Sequence, residues 1–217
     1  MGIISEDIKN KKYKNVYLLY GDEAYLRESY KRALVNALTV PSDTLNYARF
    51  SGKETNPAEV VSLANTLPFM AAKRVITVDD SGFFKNACDD IAEYIAAPSE
   101  DTCLIFNESE IDKRGRAYKA AQKAGFTVEA SHPDENELKR WIAGNLKRAG
   151  KNIRENTVEL IMSTVGTDMY LLDGELNKLI SYTGEINEVT DDDIKAVCTV
   201  NPSDSIFKLI EAMALQR

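Results

Sequence analysis

Three places in the chain bring together residue types that do chemistry in other proteins. The first is Tyr20-Gly21-Asp22-Glu23, which closes the apolar run Val16 to Tyr20 and leads directly into a helical pattern. A phosphate-binding loop sits at this place in nucleotide hydrolases. Extra glycines there free backbone N–H groups for phosphate, and Lys with Ser or Thr supplies charge and a Mg²⁺ ligand. This turn has one glycine and two acids instead. Asp22 and Glu23 suit the positive end of a helix dipole and repel phosphate, so acidic capping of a helix is expected rather than a nucleotide site. The second place is Cys103 to Asn107, followed by Glu108-Ser109. An acid ending such a strand holds Mg²⁺ in ATPases, but without a phosphate loop Glu108 has nothing to act on and is expected to be a solvated loop residue. The third is His132, the single histidine, which precedes Pro133 and is expected to be a turn residue. Ser-His-Asp chemistry has no other base to use. No enzyme active site and no cofactor are expected.

Metal and thiol chemistry fare no better. Asp191, Asp192 and Asp193 are consecutive and point in different directions on a helix, so they are expected to be N-terminal helix charges. Cys88, Cys103 and Cys198 are far apart and odd in number, which suggests neither a disulfide framework nor a zinc site but buried free thiols in a reducing compartment. The stretch from Lys139 to Arg154 contains Lys139, Arg140, Lys147, Arg148, Lys151 and Arg154 and no acid. Arg140, Lys147 and Lys151 recur at helical spacing, so one face has the charge to meet phosphates; a solvated helix face is the plainer alternative. Trp141 with Leu138, Ile142 and Leu146 forms a stripe expected to be core. Leu67-Pro68-Phe69-Met70 differs from all of these, because Pro68 ends a helix and leaves three large apolar side chains in a connecting loop. Such clusters are tucked onto the core or held out for a partner, and pattern alone favours the core.

The elements that must position these residues follow from periodicity. Strands are expected at Val16 to Tyr20, Asn46 to Phe50, Arg74 to Val78, Cys103 to Asn107 and Phe126 to Glu129. Helices are expected between them at Tyr25 to Leu38, Pro57 to Thr66, Phe83 to Ile95 and Arg114 to Ala124. Alternation of this kind predicts an α/β three-layer domain with a five-stranded parallel sheet over residues 1–133. From 134 to 202 the pattern is helical alone. Asp134 with Glu137 and Thr190 with Asp193 resemble capping boxes, and Gly166 and Gly184 suit helix ends. After Asn201-Pro202, an amphipathic helix is expected over Ser205 to Leu215, within a third region, 203–217. It has nothing left to pack on, which suggests a fragment or a partner.

Charge narrows the function classes. The net charge is −7, and neither the α/β part nor the helical part is net basic, which argues against nucleic-acid binding driven by bulk charge. No run has the ~20 apolar residues a membrane span needs, and the start of the chain lacks the pattern of a secretory signal, so a cytoplasmic protein is expected.

Short segments, in order across nearly the whole chain, resemble the delta subunit family of bacterial DNA polymerase III. They are Val16 to Glu23 with Tyr25-Leu26, Leu67 to Met70 before Lys73-Arg74-Val75, and Leu104 to Asn107 before Asp112-Lys113-Arg114. Leu138 to Ile142, Asp168 to Leu172 with Glu175-Leu176, Lys178-Leu179, and Ile206-Phe207 with Arg217 complete the set. The resemblance implies an AAA+ domain with strand order 5-1-4-3-2, a helical lid, and the first helix of a collar domain otherwise absent, so that this looks like a monomeric N-terminal fragment. It implies a non-catalytic subunit of a nucleotidyltransferase complex, with the sliding clamp (beta) as partner. The gamma/tau and delta prime subunits would bind through the missing collar, and primed DNA indirectly. It also reverses the expectation at Leu67, Pro68, Phe69 and Met70: this loop would insert Phe69 and Met70 into the clamp, with Met70 standing where an aromatic is more usual. A different class of function, a doubly wound nucleotide-binding enzyme with a degenerate phosphate loop, fits the fold pattern equally well. It explains neither the acidic turn nor the apolar loop.

Overall fold

Five short apolar runs form one parallel sheet in the computed structural model, which describes residues 2–40 and 43–199. The strands are β1 (Val16–Tyr20), β2 (Tyr47–Ser51), β3 (Arg74–Asp79), β4 (Thr102–Glu108) and β5 (Phe126–Glu129), in the order β2-β3-β4-β1-β5. This is the order the family resemblance implies. β1, β3 and β4 are buried along their whole length, as strands of a parallel sheet covered on both faces must be.

Alternating side chains of the strands feed two cores. Val16, Leu18, Ile76, Val78, Leu104 and Phe106 pack against α3 (Pro57–Ala64), α4 (Asp89–Ala96) and α5 (Arg116–Ala124). Tyr17, Leu19, Val75, Cys103 and Ile105 pack on the other face with Leu34 of α2 (Ala24–Leu38) and Ile4 of α1 (Gly2–Asn10). The sequence pattern did not anticipate α1. It also began α4 too early: Phe83 and Phe84 are buried, but the N–H groups of Lys85 and Asn86 donate to Gly82 O, which makes that segment a turn. Of the three thiols only Cys103 is buried, and burial pushes it up to about 12, far from a reactive thiolate. Cys88 and Cys198 are half-buried rather than buried as expected.

Contacts divide the chain into two compact units, Met1–His132 and Pro133–Arg217. The second holds α6 (Glu135–Arg148), α7 (Glu155–Val165), α8 (Met169–Thr183) and α9 (Asp191–Val197). Both anticipated capping boxes form, at Asp134 with Glu137 and at Thr190 with Asp193. Gly166 and Gly184 end α7 and α8 with φ of 94° and 49°, a backbone region that favours glycine. Leu138, Ile142, Leu146, Ile161, Leu172, Leu176 and Leu179 fill the interior, with Trp141 on its margin. This unit is not helical alone. Asn152–Ile153 and Glu188–Val189 form a two-residue parallel pair, β6 and β7. The helix expected over Ser205 to Leu215, and with it the region 203–217, lies outside the described residues.

The turn after β1 depends on Gly21, which has φ +127°; a Cβ there would lie 2.4 Å from the carbonyl oxygen of Ala130. That carbonyl cannot withdraw, because it accepts from Glu23 N at 2.9 Å while Ala130 N donates to Tyr20 O at 2.6 Å. Gly21→Ala is expected to destabilise the chain by about 2 kcal/mol or more, combining strained backbone with a lost strand contact, as read by urea unfolding.

Candidate functional site

The apolar loop between α3 and β3 lies at the amino-terminal edge of the sheet. α3 closes with Asn65 N donating to Val61 O and Thr66 N to Leu63 O, and Pro68 prevents its continuation. The three side chains that follow face solvent: Leu67 is 75% exposed, Phe69 60% and Met70 93%. The expectation from pattern alone, that they tuck onto the core, is wrong. The reason is that two buried polar side chains take up the loop's backbone groups. Asn46 accepts from Phe69 N at 2.6 Å and donates through Nδ2 to Phe69 O at 3.0 Å. Arg74, at the first position of β3, reaches Leu67 O at 3.0 Å, Leu45 O at 2.9 Å and Thr66 O at 3.4 Å.

This polar cradle is itself fixed. Asp43 accepts from Leu45 N, Asn46 N and the Asn46 side chain, and the Asn46 carboxamide and N–H hold the Asp43 carboxyl below the usual carboxylate range. Met70 has φ 51°, a left-handed conformation that costs a non-glycine residue of order 1 kcal/mol and persists only where surrounding bonds impose it. The chemistry this arrangement offers is non-covalent. A held backbone presents an exposed apolar surface, a shape that suits a concave apolar surface.

The opposite edge of the sheet, at the carboxyl ends of the strands, is where open α/β sheets bind ligands. Here it is filled by side chains. Lys31 Nζ lies 2.6 Å from Asp79 Oδ1 and 2.8 Å from Glu28 Oε1, with both Lys31 and Asp79 buried. Asn107 donates to Asp79 and Glu28, Arg27 donates to Asn107 at 2.8 Å, and Arg49 Nε pairs with Asp79 Oδ2 at 3.0 Å. Glu108 is not a solvated loop residue. It is buried in the last position of β4 and accepts from Ser81 N and Oγ and from Gly82 N; burial pushes its carboxyl up, and the bonds from Ser81 and Gly82 oppose that. Glu23 caps α2 by accepting from Tyr25 N, as expected of the acidic turn, and His132 Nδ1 lies 2.8 Å from Glu23 Oε2.

The structure separates the three expected phosphate-facing cations. Arg140 and Lys147 are exposed on α6. Lys151 is not on that face: Gly150, with φ 77°, turns the chain, and Lys151 is buried with Nζ donating to Gly184 O and Ile186 O. Asp191, Asp192 and Asp193 lie in the first turn of α9, where Asp193 closes the capping box and Asp191 accepts from Thr157; no group of acids, cysteines and histidine that could hold a metal occurs among the described residues. Asn46 and Arg74 were missed as site residues. Asn46 reads as a strand start and Arg74 as a basic residue flanking a strand, and only contacts across the fold show what they hold.

The sequence model of the family described as DNA polymerase III, delta subunit, matches residues 17–131. The DNA polymerase III subunit delta of Bacillus subtilis is 25% identical over 94% of this chain and 62% of its own length; a probable delta subunit of Aquifex aeolicus is 21% identical over 94% and 60%. The chain thus spans about three fifths of the length of these curated relatives. Among solved structures, the DNA clamp loader delta protein of Bacillus subtilis superposes with a TM-score of 0.78 at 23% identity, covering 96% of this chain and 65% of that one. A RuvB mutant of Thermotoga maritima shares the fold more distantly, with a TM-score of 0.51 at 11% identity, covering 89% and 64%.

The filled carboxyl edge makes a stability prediction. Asp79→Ala leaves Lys31 buried without its closest partner and is expected to cost about 3–5 kcal/mol in urea unfolding. Replacing both, Asp79→Leu with Lys31→Met, is expected to recover most of that loss, because the buried Lys31 charge goes with its partner and Arg49, which also loses Asp79, is exposed to water.

Proposed function

Because the chain belongs to the DNA polymerase III delta subunit family, we propose that it binds the sliding clamp through Leu67, Phe69 and Met70 and holds it open for loading onto primed DNA. The observation that carries this reading is the exposure of three large apolar side chains on a loop whose Thr66, Leu67 and Phe69 backbone groups are held by buried side chains. A monomer gains nothing from that exposure, and a partner with an apolar pocket recovers it. Pro68 shapes the loop between the anchors. Met70, unbranched and polarisable, fills an irregular pocket where a rigid ring would need a matched one.

The mechanism is mechanical. Seating Phe69 and Met70 anchors the loop on the clamp, and contacts made in its open form alone trap that form, which fluctuation already populates. At roughly 1.5–3 kcal/mol for each side chain the pair supplies the affinity of the anchor, while the shift toward the open clamp equals only the difference in affinity between the two forms. No residue of the loop does covalent chemistry. The other loader subunits would join through a collar region, and of the three cations expected to face phosphate Arg140 and Lys147 on α6 remain available to a DNA backbone.

A nucleotide-binding enzyme is the competing class. Against it stand the N–H of Glu23, already donated to Ala130 O, and the ion pairs that fill the carboxyl edge. Titration with ATP or GTP is expected to show no saturable binding, and micromolar binding would favour the enzyme.

Binding to the clamp from the same organism tests the main reading. The wild-type chain is expected to bind, and Phe69→Ala/Met70→Ala, with folding checked by circular dichroism, is expected to lose affinity by more than about a hundredfold. Equal binding by the two chains would refute the anchor.

A further inference from the structure

We propose that Asn46 and Arg74 are positioning residues for the apolar loop, setting the affinity of the site without touching the partner. The inference rests on the clamp-binding reading and goes beyond it by naming what makes the loop competent before the partner arrives.

Neither side chain has exposed surface to offer a partner, since Asn46 is 4% and Arg74 9% exposed. What they hold is the backbone of the anchor. Asn46 closes a two-way amide pair on Phe69, accepting from its N–H and donating to its carbonyl, which fixes both peptide planes flanking that ring. Arg74 spans three carbonyls, two from the loop itself and one from Leu45 in the turn that carries Asn46. The guanidinium therefore ties the loop to the turn that holds its other clamp. Asp43 completes the device by fixing Asn46 from the far side through its amide and N–H. Four hydrogen bonds reach the backbone of a loop whose apolar side chains make none, and the bonds of Arg74 to Leu45 O and of Asp43 to Asn46 brace the groups that make them.

A free loop of this composition would sample many conformations, and the fraction presenting Phe69 and Met70 together would be small. Apparent affinity falls in proportion to that fraction. Buried groups that fix the backbone in advance remove this loss, and association should then be limited by encounter rather than by ordering. The left-handed backbone at Met70 fits the same view, because an exposed methionine has no reason of its own to adopt it.

The test compares wild type with Asn46→Ala and Arg74→Lys. Lys keeps the charge but cannot span three carbonyls. Hydrogen exchange in the chain alone reads the loop, and surface-immobilised sliding clamp from the same organism reads binding. The expected result is faster exchange at the Phe69 amide in Asn46→Ala, with the strand amides of β1, β3 and β4 unchanged. A loss of clamp affinity of about tenfold, mostly in the association rate, should accompany it, with a comparable loss for Arg74→Lys. A merely structural role would instead raise exchange across the sheet and lower the unfolding midpoint without a specific change in association. Unchanged exchange at Phe69, or faster exchange with wild-type affinity, overturns the inference and leaves clamp binding standing. Absence of wild-type binding overturns the clamp reading, and this inference with it.

Discussion

A loop that exposes large apolar side chains must still satisfy its own backbone, and here the guanidinium of Arg74 and the carboxamide of Asn46 do so from beneath. Because the carbonyls of Thr66, Leu67 and Phe69 and the N–H of Phe69 find partners inside the protein, the loop has no need to fold inward to be stable. Leu67, Phe69 and Met70 are thereby released to solvent on a backbone that does not collapse. Exposure without a held backbone would give a mobile tail, and a held backbone without exposure would give one more piece of core.

β3 links this edge to the other. Its first residue, Arg74, holds the loop at the amino end, and its last, Asp79, gathers Lys31, Arg49 and Asn107 at the carboxyl end. The apolar residues between them are fully buried and paired on both sides, so the strand is a rigid connection between two polar clusters. At the carboxyl end, where related architectures place ligands, ion pairs occupy the crevice. At the amino end the same sheet supports a display surface. The same sheet thus carries ion pairs at one edge and exposed apolar side chains at the other.

Much of the fold was legible because the signals were local. The strand Phe126–Glu129 lies where its alternation places it, and Asp134-Glu137 and Thr190-Asp193 cap helices as their spacing requires. Other features were not legible, for identifiable physical reasons. Gly2–Asn10 is helical although its apolar residues are few, because Ile4 packs on the sheet. β6 and β7 are two residues each, too short to show a period. Lys151 fits a helical stripe with Arg140 and Lys147 by number, and a left-handed glycine just before it takes it off that face. The apolar loop was visible as residues but not as a surface. Its exposure depends on Asn46 and Arg74, whose partners lie 23 and 7 residues away and across the fold. Sequence spacing carries no trace of such a cradle.

The most direct measurement is the NMR response of methyl-labelled methionines as the clamp from the same organism is added. Met70 is almost fully exposed, whereas Met169 is buried in the helical unit. The predicted result is a large shift or broadening of the Met70 methyl at stoichiometric clamp, with Met162 and Met169 unmoved. Clamp binding that leaves Met70 unchanged and perturbs the methionines of the helical unit would contradict the central claim that this loop is the surface the protein presents to its partner.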